Sequence, residues 1–150
     1  MGEVDVQPYQ PGDAELRSIL GDARTVAVVG LSSKPGRESL RIAQYLQDQG
    51  YRIIPVNPKE TEVLGEKAYA SLLEVPVPVD AVDVFRRAEE TPEIARQAVK
   101  IGAKVLWLQT DIVNDEARQI AEDAGLSVVM GVCIRSTHRR LGMEERTEEA

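Results

Sequence analysis

The hydroxyl and cationic side chains most able to hold a ligand sit just behind short apolar runs. Ser32, Ser33, Lys34 and Arg37 follow Thr25-Val26-Ala27-Val28-Val29-Gly30-Leu31, and Asn57, Pro58 and Lys59 follow Ile53-Ile54-Pro55-Val56. Arg86 and Arg87 follow Val82-Asp83-Val84-Phe85, and Gln109 follows Val105-Leu106-Trp107-Leu108. Hydroxyls, positive charge and free backbone amides near a helix start are what a phosphate group needs, because they supply donors and a favourable field. Gly30 is expected to turn the backbone tightly and let a ligand approach it closely. Its spacing fits no named fingerprint. The next glycine is Gly36, so neither G-x-G-x-x-G nor G-x-x-x-x-G-K-[ST] is present.

Catalytic groups are sparser. The chain has one cysteine, Cys133, and one histidine, His138. Cys133 lies beside an apolar run and reads as a small core residue. His138 stands among Thr137, Arg139 and Arg140 with no carboxylate to orient it, and reads as a structural or surface histidine. Asp111 and Asp115 lack the company a metal site needs, and no nucleophile elbow with a Ser/His/Asp order is present. No catalytic and no metal-binding residue is therefore assigned.

The apolar runs are the elements that must position these groups. Thr25 to Gly30, Tyr51 to Val56, Asp80 to Phe85, Lys104 to Gln109 and Ser127 to Gly131 are rich in valine and isoleucine, and Val26 to Val29 show no polar alternation. Strands of that kind are buried on both faces, as in a parallel sheet. Between them, Ile42, Ala43, Leu46 and Gly50 share a helical face, as do Ile94, Ala95, Ala98 and Ile101, and Ala117, Ile120, Ala121 and Ala124. Thr91 before Pro92, and Asn114 before Asp115 and Glu116, read as helix caps, while Gly50, Gly102 and Gly125 stand where helices should stop. A further helix is expected from Asp13 to Leu20, docking on a sheet edge, and a short one near Ala70 to Leu73.

The alternation predicts an α/β fold with a Rossmann-like, doubly wound, parallel five-stranded sheet in strand order 3-2-1-4-5, with a ligand crevice at the switch point between strands one and four. At 150 residues the chain is expected to form one domain, 1–150, with flexible ends at 1–11 and 143–150. A formal charge of -7 argues against general nucleic-acid binding. No apolar stretch approaches the ~18 residues that span a bilayer, no leader pattern opens the chain, and a single cysteine suits a reducing compartment. The expectation is a cytoplasmic protein without membrane contact. No protein partner can be named from these residues.

The strand ends also discriminate between ligands. A dinucleotide with a free ribose diol usually finds an acid after the second strand. Asn57-Pro58-Lys59 supplies a cation instead, which suits an extra phosphate.

Several motifs taken together resemble a known family: Val28-Val29-Gly30-Leu31-Ser32 with Lys34-Pro35, Gly50-Tyr51-Arg52-Ile53-Ile54-Pro55-Val56-Asn57-Pro58, Val82-Asp83-Val84-Phe85-Arg86, Val105-Leu106-Trp107-Leu108-Gln109, and Cys133 with His138-Arg139-Arg140-Leu141. From about Leu16 to Leu141 the chain resembles the small stand-alone CoA-binding proteins, whose Rossmann-like domain is similar to that of succinyl-CoA synthetase α subunits and NDP-forming acyl-CoA synthetases. The resemblance implies coenzyme A as ligand. It implies that Gly30, Leu31, Ser32, Ser33, Lys34 and Arg37 hold the pyrophosphate, and that Val56, Asn57, Pro58 and Lys59 meet the adenosine and its phosphate. Phe85, Arg86, Leu108 and Gln109 would flank adenine and pantetheine. Glu38 stands where the family often has proline. The leading expectation is non-catalytic binding of CoA or an acyl-CoA. The alternatives are an NADP-linked oxidoreductase, with Lys59 on the 2′-phosphate, and a separate component of an acyl-CoA synthetase.

Overall fold

The computed structural model describes residues 7–144. Five parallel strands form the central sheet: β1 (Thr25–Val29), β2 (Arg52–Val56), β5 (Ala81–Val84), β6 (Val105–Leu108) and β7 (Ser127–Met130). Each lies within a residue of an expected run. A two-strand hairpin, β3 (Glu62–Val63) with β4 (Glu66–Lys67), follows β2. The helices are α1 (Asp13–Asp22), α2 (Glu38–Asp48), α3 (Thr91–Lys100), α4 (Asp115–Asp123) and α5 (Ile134–Arg140).

The absence of polar alternation in the strands has the expected cause. Val26 and Val28 face one apolar cluster with Trp107 and Val129, covered by Leu16, Ile42, Leu46 and Ile134 of α1, α2 and α5. Ala27 and Val29 face the other with Val82, Leu106 and Val128, covered by Ala95, Ala98, Ala117 and Ala121 of α3 and α4. Burying each larger aliphatic side chain contributes about 1.5–3 kcal/mol. Helix α1 thus joins a face of the sheet, through Leu16, Ile19 and Leu20, instead of docking on an edge.

The sheet order is β2-β1-β5-β6-β7. The 3-2-1-4-5 pattern is present, with a different occupant in third place. Beyond β2, that position is held by Tyr69, which makes a single parallel bridge to Val56. The Asp80 to Phe85 run, expected as the third strand, pairs with β1 and takes the fourth place. A segment holding Pro58, Gly65, Pro76 and Pro78 cannot supply the donors and extended backbone of a full strand, so one bridge is all that forms there.

Asn114 caps α4 as expected, its Oδ1 accepting from Ala117 N at 2.8 Å. Thr91 does not cap α3. It is the helix's first residue, and its hydroxyl donates to the Ala88 carbonyl at 2.7 Å within a preceding 3-10 turn. The short helix expected at Ala70 to Leu73 is a 3-10 turn at Leu72–Glu74, capped by Ser71. Of the ends expected to be flexible, 1–6 and 145–150 lie outside the described residues. Tyr9 exchanges two 2.9 Å backbone hydrogen bonds with Met130, and its hydroxyl donates to Glu122.

Candidate functional site

The switch point falls between β1 and β5, where neighbouring strands send their following loops to opposite faces of the sheet. A crevice of about 580 Å³ opens there. Ten expected residues line it: Gly30, Ser32, Lys34 and Arg37 after β1; Asn57, Pro58 and Lys59 after β2; and Phe85, Arg86 and Arg87 after β5. Glu60 and Glu90 complete the wall.

Gly30 makes the tight turn expected of it and also admits a second stretch of backbone. Its N–H donates to the Val56 carbonyl at 2.8 Å, its φ is 90°, and an added Cβ would lie 2.6 Å from the Phe85 carbonyl oxygen. The close approach requiring glycine is that of the β5 end to the β1 turn.

The loop beyond Gly30 is shaped by its own hydrogen bonds. Ser32 N donates to the buried Ser39 Oγ of α2, and Lys34 N to Ser32 Oγ, both at 3.1 Å. Asn57 ties the second strand's corner to the first: its Nδ2 donates to the Leu31 carbonyl at 3.0 Å, while its Oδ1 accepts from Lys59 N at 2.9 Å. Ser33 N donates to a carboxylate, Glu60 Oε2, at 2.9 Å.

The cations divide into two groups. Arg86 donates through Nε and Nη2 to Glu90 Oε1, at 3.0 and 2.6 Å, and Arg87 Nε donates to Glu90 Oε2 at 3.1 Å. One carboxylate thus holds both guanidinium groups. The hydrogen bonds from Arg86 and then Arg87 keep Glu90 below the ordinary carboxylate range. Arg37 and Lys59, by contrast, are exposed and take part in no ion pair among the described residues. Glu38 faces Arg41 at 2.5 Å and Arg135 at 3.6 Å.

Other expected site residues are not in the crevice wall. Leu31, Val56 and Leu108 are buried in the two clusters, and Ser33 is exposed on the loop. Gln109 is buried, its Oε1 accepting from Ile134 N at 3.1 Å, so its side chain is committed to the start of α5. Glu60 and Glu90 were missed. For Glu90 the signal was available, since it stands four residues after Arg86 and three after Arg87. For Glu60 there was none, because its contact depends on how two loops meet.

The C-terminal corner is packed. His138 is buried, with Nδ1 2.7 Å from the Tyr45 hydroxyl and its ring edge-on to Tyr45 and Tyr51. Cys133 precedes α5, where its carbonyl accepts from Thr137 N and Oγ1.

Residues 24–139 match the family described as CoA binding domain. The chain belongs to this family. An uncharacterized protein of Bacillus subtilis, YneT, is 44% identical to this CoA binding domain over 128 residues, 85% of this chain and 95% of that one. The alpha subunit of an ADP-forming acetate–CoA ligase I from Pyrococcus furiosus is 37% identical over 93 residues, 58% of this chain but 20% of the subunit. A solved structure of a hypothetical protein from Pyrococcus horikoshii superposes with a TM-score of 0.86 at 41% identity, covering 94% of this chain and 99% of that one. This CoA binding domain is thus similar both to stand-alone proteins of its own size and to a small part of ligase subunits. Among the described residues no helix is long and apolar enough to cross a membrane.

Proposed function

We propose that the chain binds coenzyme A, or an acyl-CoA, non-catalytically in the crevice at the carboxyl ends of its strands. Lys34 and Arg37 would meet the pyrophosphate, Asn57, Pro58 and Lys59 the adenosine with its 3′-phosphate, and Phe85 with Arg86 the adenine or pantetheine. Leu31, Val56, Leu108 and Gln109 act in this reading as support for the wall. The observation that carries it is a pair of cations, Arg37 and Lys59, that form no ion pair among the described residues and face one open crevice at the switch point of a CoA binding domain. Charge-assisted hydrogen bonds from such groups suit a ligand with several phosphates. A cytoplasmic setting belongs to the proposal and accords with the single Cys133.

A component role in acyl-CoA synthesis is supported by the similarity to a ligase alpha subunit, and it would use the same crevice. Calorimetry with CoA, acetyl-CoA, NADP and NAD side by side tests these readings. The expected result is saturable binding of CoA and acetyl-CoA with little response to NAD. Tighter binding of NADP than of CoA would favour the oxidoreductase alternative.

A further inference from the structure

Three successive amides of the loop after Gly30, those of Ser32, Ser33 and Lys34, are already occupied. Ser32 N is held by Ser39 Oγ and Lys34 N by Ser32 Oγ, both short neutral contacts within the turn that carries them into α2. The Ser33 amide differs, because its partner is a carboxylate brought from the corner after β2. Glu60 reaches it from a turn closed by its own N–H on the Asn57 carbonyl at 3.1 Å. The carboxylate lines the crevice beside Lys34, so it presents a negative charge and two acceptor oxygens to an amide and a cation of the phosphate-facing loop.

We propose that Glu60 is an internal anion occupying the position of a ligand phosphate on the Ser33 amide, and that the ligand must displace it, so that Glu60 sets the affinity of the crevice. The inference rests on the reading of this crevice as a CoA site and names the residue that opposes binding there. The Ser33 N–H keeps the Glu60 carboxyl below its ordinary range, so it is charged at neutral pH. Any phosphate oxygen reaching the same amide must take over that hydrogen bond and tolerate, or push aside, the like charge. The loop does not need Glu60 for its shape. Gly30 N to the Val56 carbonyl, Asn57 Nδ2 to the Leu31 carbonyl and Ser39 Oγ on Ser32 N hold it independently.

The test measures CoA affinity by calorimetry for the wild type, Glu60→Gln, Glu60→Ala and Glu62→Gln, with circular dichroism and melting curves for each. Glu62 lies on β3, is exposed and is not among the crevice-lining residues. It controls for a change of net charge. Glu60→Ala should tighten CoA binding by about three- to tenfold, and Glu62→Gln should change it by less than about twofold. Glu60→Gln should fall between them, because the amide acceptor stays while the charge is gone. Folded Glu60→Ala protein with unchanged or weaker CoA affinity would overturn the inference and leave the CoA site standing. Failure of both wild type and Glu60→Ala to bind CoA would overturn the site reading, and the inference with it.

Discussion

The crevice and the α5 corner both hold chemically suggestive side chains, and they differ in what those side chains touch. In the corner, the chain's one histidine is enclosed: Tyr45 holds its Nδ1, and Tyr51 packs against it while donating to the Leu20 carbonyl. Burial pushes the Tyr51 hydroxyl up to about 12 and raises that of Tyr45, so both stay protonated. In the crevice, cations stand on loops at the ends of strands, with exposed heads and backbone held from behind. The contrast teaches that the histidine is held by packing, whereas lysines and arginines face the open site.

The largest expected effect breaks the contrast at its boundary. Gly30→Val should destabilise the fold by about 3 kcal/mol or more, because a positive φ and a backbone oxygen 2.6 Å from the new Cβ cannot both be relieved. Urea unfolding measures it. Retained stability with lost CoA binding would show that a ligand, and not the β5 end, is what requires glycine at this position.

His138→Ala comes next. Loss of a buried ring and of the Tyr45 partner should cost about 2–4 kcal/mol of stability, while CoA affinity stays within about threefold. Weakened CoA binding in a variant of unchanged stability would make the corner part of the site.

A third expectation concerns Asp83, which is fully buried on β5 between Val28 and Trp107 in register, with no partner for either oxygen among the described residues. Burial raises its carboxyl well above the ordinary value. The unfolded chain therefore releases this proton first as pH rises, and the native state holds one more. Its contribution to stability is present below the unfolded value and is lost toward the native one, at about 1.4 kcal/mol per pH unit. Asp83→Asn should remove that slope, so wild type and variant should diverge in denaturation midpoints as pH rises above the ordinary carboxylate range. Parallel curves would contradict the assignment.

Much of the scaffold was legible in the sequence because its physics is local. Short apolar runs bounded by turn residues, such as Val26 to Val29 with no polar alternation, read as strands covered on both faces, and glycines mark the helix ends. The misses have local reasons too. The β3–β4 hairpin turns on Leu64 and Gly65, both with positive φ, and leucine in the place where asparagine is usual hides that turn. Helix α5 buries Ile134, Thr137 and His138, with Leu141 buried at its C-cap, a helical spacing in which two of four residues are polar, so no apolar stripe announces it. Asp83 passed unremarked inside Val-Asp-Val. In the crevice, the cations were readable as residues following strands. Their carboxylate partners depend on loops meeting in space, and Gln109 was drawn away by the start of α5.

The most direct test of the central claim compares CoA with dephospho-CoA by calorimetry, in the wild type and in Lys59→Ala. Lys59 at the β2 corner, exposed and in no ion pair among the described residues, is the residue expected to meet the 3′-phosphate. The account predicts that the wild type binds CoA about tenfold or more tightly than dephospho-CoA, and that Lys59→Ala removes most of that preference. Equal affinities of the wild type for the two ligands would contradict it.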